Sequence, residues 1–218
     1  MFEGPFREGE EQATTLEEIN GVVTPRSFQM FVQWVCLGRV VFRGCAPDVA
    51  ITTAIEFARL ADMCRITGME SLMAEHIKAI ILANPAPEDS KWDDWRAPDT
   101  NTHCLTSQHI TSAVALPEGH PVRAILAAAT VEGRLRRHNY KFEREASRVP
   151  EFSVDLLKAV RATIESITIE YMQREPGSEQ SVKIFVVKIE NTLSSYHVIW
   201  HLISSQVQRI LNHAKGQR

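Results

Sequence analysis

Three histidines and one cysteine, His103, Cys104, His109 and His120, stand within 18 residues of one another and have types that could ligate a metal or form a thiolate–imidazole pair. A structural zinc site is built from two tight ligand pairs. Here one pair is adjacent, the other two histidines stand far apart, and the segment holds a single cysteine. A nucleophilic Cys104 would also need an orienting acid, and no motif supplies one. Asp93 and Asp94 sit in an acidic, proline-rich stretch with no sign of the burial that tunes an acid–base pair. The sequence contains no GxxxxGK[ST], GxGxxG, HExxH or GxSxG pattern. No catalytic, cofactor-binding or metal-binding residue is therefore assigned, and the chain is expected not to be an enzyme.

Two other patterns point to contact rather than chemistry. Arg134, Arg136, Arg137, His138, Lys141, Arg144 and Arg148 form a basic stretch with Tyr140 and Phe142 interleaved. Glu132, Glu143 and Glu145 dilute it, so it reads as a solvated helix and loop, and nucleic acid is not expected as a partner. Near the end, Ile189, Leu193, Tyr196, Trp200, Ile203, Val207 and Ile210 recur at alternating steps of four and three. That is the repeat of a helix packing lengthwise on another helix, either the protein's own or a partner's. Tyr196, Trp200 and Ile203 at its centre are the candidate contact residues, large aromatics dominating such contacts.

The elements that must carry these residues are mostly helical. Pro25 opens a first helix with Phe28, Phe31, Val32 and Val35 on one stripe, and Gly38 stops it. A second begins at Pro47-Asp48 with Ile51, Ala54, Ile55, Ala58 and Ala61 inward, and Thr67-Gly68 breaks it. A third runs from Met69 to about Leu82 over Leu72, Met73, Ile77, Ile80 and Ile81. Residues 84–105, with Pro85, Pro87 and Pro98 among four aspartates, read as a linker. Thr106 caps a short helix, and Pro121 starts another over Val122, Ile125, Leu126 and Ala129. Pro150 opens a longer one whose stripe, Phe152, Leu156, Val160, Ile164, Ile167 and Tyr171, ends before Pro176-Gly177. Strand is expected only near residues 12–19, although Val182 to Val187 is a dense β-branched run that could enter the tail as a strand.

Composition sets the outer bounds. With 218 residues, 44% of them hydrophobic and 23% charged, the chain can bury a sizeable core. A net charge of −3 gives no global field toward nucleic acid, membrane or acidic substrates. No apolar run approaches the ~20 residues of a membrane span, so no membrane partner is expected. The four scattered cysteines, with no CxxC pair and no secretory leader, suggest a reducing compartment, cytoplasm or nucleus.

Several short motifs, in order, resemble the BTB/POZ family of filamentous-fungal type. Met1-Phe2-Glu3-Gly4-Pro5-Phe6-Arg7-Glu8-Gly9 looks like the segment that follows the domain's second long helix. Phe28 to Gly38, with Trp34, is similar to the family's aromatic helix, and Leu60-Ala61-Asp62-Met63-Cys64 with Ile66 to Leu72 resembles its helical hairpin. Leu116-Pro117-Glu118-Gly119-His120-Pro121 and Val149-Pro150-Glu151-Phe152 resemble the helical extension of the fungal proteins. The strand–helix–strand section with which the family domain opens has no counterpart in this sequence, and neither does the heptad tail in the family pattern.

The expected fold is mainly α: the resemblance implies a partial BTB/POZ-like helical domain over 1–83 with a short strand and a helical extension over 106–175, while composition gives the linker 84–105 and the heptad period an amphipathic helix over 181–213. The resemblance implies a protein–protein interaction module, an adaptor joining a client to a cullin ubiquitin ligase, or alternatively a transcriptional or pathway regulator acting by oligomerisation. Partners would be a cullin scaffold or another BTB protein, in a homo- or hetero-oligomer. Phe6-Arg7-Glu8 occupies the position of the family's cullin-binding motif, and an aromatic flanked by charge suits a small apolar pocket with a polar rim. Missing the sheet-forming start, the helices over 25–82 are expected to expose apolar surface.

Overall fold

The computed structural model describes residues 19, 22–42, 44–86, 99–136, 140–172 and 184–189. Phe6, Arg7, Glu8, Tyr196, Trp200 and Ile203 lie outside the described residues, as do Asp93, Asp94 and the expected strand before Ile19. The described chain is mainly α: α1 Pro25–Leu37, α2 Pro47–Met63, α3 Met69–Ala83, α4 Ser107–Ala113, α5 Pro121–Arg136, α6 Glu143–Arg148 and α7 Pro150–Glu165. Two strands follow, β1 Ile167–Met172 and β2 Ile184–Ile189. None of the described helices is long and apolar enough to cross a membrane.

Local chemistry explains most helix starts. Thr24 and Ser27 form a reciprocal cap on α1: the Thr24 hydroxyl accepts from the Ser27 amide at 3.1 Å, and the Ser27 hydroxyl accepts from the Thr24 amide at 2.9 Å. Pro25, Pro47, Pro121 and Pro150 each stand at a first helical position, where a missing amide proton costs nothing. Gly38 closes α1 at φ +63°, a left-handed conformation that a side chain would strain. Thr106 caps α4 as expected, its hydroxyl facing the His109 amide at 3.4 Å.

One core runs through the helices. Met30 of α1, Ile51, Ile55 and Phe57 of α2, Met73, Ile77 and Ile81 of α3, Val122 and Leu126 of α5, and Phe152 and Leu156 of α7 belong to a single apolar cluster. α2 packs on both α1 and α3, and α3 in turn packs on α5, which carries α7. Between α3 and α4, both ends of the stretch expected as a linker over 84–105 are packed. Ala86, Asn101, Thr102, Cys104 and Leu105 are buried, so its later part is packed structure.

Several expectations need correction: Leu72 of α3 and Ile164 of α7, expected inward, are exposed. The last long helix ends at Glu165, and Ile167 and Tyr171 belong to a strand. Their spacing fits a helix, but Ile167, Ile169 and Tyr171 also alternate, and the β-branched run at 184–189 offers a pairing partner. β1 and β2 pair antiparallel, with Ile167 opposite Ile189 and Met172 opposite Ile184. Residues 184–189 are therefore strand, not the opening of a helix over 181–213, so Ile189 leaves the heptad stripe. Finally, α1 is rotated from its expected face: Ser27 and Met30 are buried and Phe31 packs against the core, while Phe28, Val32 and Val35 face outward.

Candidate functional site

The rotation of α1 follows from what lies beneath it. Ser27 is fully buried because its hydroxyl donates to the Val22 carbonyl at 2.6 Å as well as serving in the cap. Thr24 also donates to Glu56 of α2 at 2.9 Å, which ties the start of α1 to its neighbour. With Ser27 and Met30 inward, Phe28, Val32 and Val35 share the opposite side, one turn apart, and Val35 is 65% exposed. The Phe28 and Phe31 rings stack at 6.1 Å, which stiffens one edge of this apolar face. A second outward stripe lies on α7, where Val154, Leu157 and Ile164 are exposed beside Arg161. Scattered exposed apolar residues are ordinary, but a row on one rigid helix is what a docking surface needs.

Of the three histidines, His109 and His120 are buried and hydrogen-bonded. Burial holds the His109 imidazole below its usual titration range, the backbone and charge of Asp48 partly opposing this and Lys141 adding to it. The Thr106 amide donates to its Nδ1 at 3.1 Å, so the neutral ring carries its proton on Nε2. That atom lies 3.0 Å from the Asp48 carbonyl, which accepts, and 2.9 Å from the Thr52 hydroxyl. His109 thereby fastens α4 to the first turns of α2. Cys104 is buried, and burial raises its thiol, the reverse of what a nucleophile requires. His103 is exposed. Among the described residues no group of three His, Cys, Asp or Glu is arranged to hold a metal ion.

His120 lines an open cleft of about 320 Å³ between the α2–α3 turn and the start of α5. The Val122 amide donates to its Nδ1 at 3.2 Å, leaving Nε2 as a proton donor. Burial lowers its titration range, Asp62 and Glu70 pull it back up, and Arg123 lowers it further. Arg65, at the cleft's rim, holds φ +55°, a left-handed conformation costly for a residue with a side chain. The cleft joins acidic, basic and imidazole groups over an apolar floor of Ala58 and Ala61, suited to gripping a polar side chain.

Among the described residues of the basic stretch, Arg134, Lys141, Arg144 and Arg148 are exposed, and two of them also make contacts within the protein. Lys141 donates to the Thr102 carbonyl at 2.7 Å and lies over the Phe142 ring at 5.6 Å. Arg134 lies over Tyr140 at 5.5 Å, and both aromatic rings are buried. Sequence reasoning missed the outward face of α1, because periodicity marks an apolar stripe without saying which side meets the core. No protein-family model matches the chain, and no curated protein and no solved structure matches it either.

Proposed function

We propose that this chain is a protein–protein interaction module that engages a partner through the outer face of α1. One observation carries this reading: Phe28, Val32 and Val35 stand in a row on the solvent side of a capped helix whose opposite side is anchored in the core. An apolar row on a rigid support binds with little ordering cost, which is where association energy is otherwise lost.

The resemblance to BTB/POZ proteins makes the partner a cullin scaffold, with the chain as an adaptor in the cytoplasm or nucleus and Phe6-Arg7-Glu8 as a second contact. The same face could instead join copies of the chain, as in a regulator that acts by oligomerisation. Capture of purified cullin by the full chain, run beside sedimentation of the chain alone, separates the two. Val35→Asp should abolish cullin capture under the adaptor reading, and self-association under the oligomer reading. A variant that leaves both unchanged would remove α1 as the contact.

A further inference from the structure

Asp99 sits where the chain returns to the core after the acidic segment, and its Oδ1 accepts from the Asn101 amide at 3.1 Å. Its other oxygen, Oδ2, is buried and has no hydrogen-bond partner among the described residues. The space it occupies exists because position 133 of α5 is glycine. A Cβ there would lie 2.6 Å from Asp99 Oδ2 and 3.3 Å from the Tyr140 Cβ. The neighbouring α5 residue is Glu132, also buried, which accepts from the Thr100 hydroxyl at 2.7 Å and from the Asn101 side-chain amide at 3.2 Å. Two acids therefore meet beside the Gly133 notch.

We propose that Asp99 is a proton-operated latch: protonated, it seats in the Gly133 notch and holds the segment from Asp99 to Leu105 against α5; ionised, it is driven out and loosens that segment. A carboxylate there would leave one oxygen without a donor beside a second acid, and both effects disfavour the charged form. The carboxylic acid carries no such charge. Among the described residues, the charged groups facing it are Glu132 from α5 and Lys141 from the stretch between α5 and α6. Burial first, then Glu132, push the Asp99 carboxyl up to about 6, against the Asn101 amide, the Thr102 hydroxyl and Lys141. A raised value means the folded chain holds a proton that the unfolded chain releases. The clamping force is thus full below the ordinary carboxylate value near 3.8 and is lost as pH rises through about 6. A shift of this size weakens the clamp by of order a hundredfold at neutral pH.

The test is a carbon NMR titration of the Asp99 carboxyl in the unaltered chain, with amide exchange at Asn101 and Leu105 read over the same range. A midpoint near 6, with exchange quickening beyond its intrinsic pH dependence across that midpoint, is the expected result. A midpoint near 3.8, or exchange indifferent to it, overturns the latch. Asp99→Asn should make the exchange step disappear, and its persistence would assign the step to another group. Gly133→Ala, by filling the notch, should move the Asp99 midpoint back toward ordinary carboxylate values. An unmoved midpoint in folded Gly133→Ala would overturn the notch. Should that variant fail to fold, the titration of the unaltered chain decides alone.

Discussion

Arg123 of α5 donates through Nε to Asp155 Oδ2 of α7 at 2.7 Å, and both side chains are more than nine-tenths buried. The same guanidinium donates to the carbonyl of Leu116 at 2.9 Å and reaches that of Glu151 at 3.4 Å, so one cation binds the α4–α5 loop, α5 and α7 together. Removing either partner leaves an unpaired charge in the core, which costs about 3–5 kcal/mol. Asp155→Ala and Arg123→Ala should each lower stability by that amount in urea unfolding. The pair replaced together should cost less than the two losses summed, since no lone charge remains.

Acid should loosen the attachment of α4 to α2. His109 is neutral when buried, and its titration is depressed, so the unfolded chain binds the extra proton first. Its contribution to stability is present above the ordinary histidine value near 6.5 and is lost as pH falls through the lower folded value. The protonated ring could no longer accept from the Thr106 amide. His109→Gln should therefore flatten the stability-against-pH curve below pH 6.5, measured by denaturant midpoints. Asp99 acts with the opposite sign over an overlapping range, so the comparison is best made against Asp99→Asn.

Opposite sides of α1 should respond differently. Met30 is 4% exposed and packs in the core, so Met30→Ala should cost about 2–5 kcal/mol. Val35 is 65% exposed, and Val35→Asp should change stability by no more than about 0.5 kcal/mol. Thermal melts of the two variants check this. A large loss at Val35 would show that its face is covered in the folded chain, leaving it no partner to bind.

The two-stranded pairing offers a direct check on where the last helix ends. Val187→Pro places a residue without an amide opposite Ile169 in the ladder. NMR contacts between the backbones of β1 and β2 should vanish while the helical far-ultraviolet signal stays. If the helical signal falls as well, the strands are supporting α7.

Much of the helical scaffold is legible in the residues alone. Pro25, Pro47, Pro121 and Pro150 mark four helix starts, Thr106 marks a cap, and Gly38 marks a stop, because caps and breakers act through neighbouring backbone groups. The inward faces of α2 and α5 are equally legible: Ile51, Ala54, Ile55, Ala58 and Ala61 are all buried, and so are Val122, Leu126 and Ala129. Tertiary contact decided the rest. Which side of α1 meets the core depended on Ser27 reaching the Val22 carbonyl, and polar Ser27 gives no hydrophobic signal of it. Whether Ile167 to Tyr171 coils or extends depended on a strand more than ten residues away, since its spacing satisfies both periods. The meeting of Asp99, Glu132 and Gly133 is also a product of packing. Three residues 34 positions apart at most carry no shared motif, and only the fold of one segment against α5 puts two acids beside a notch that a missing side chain leaves open.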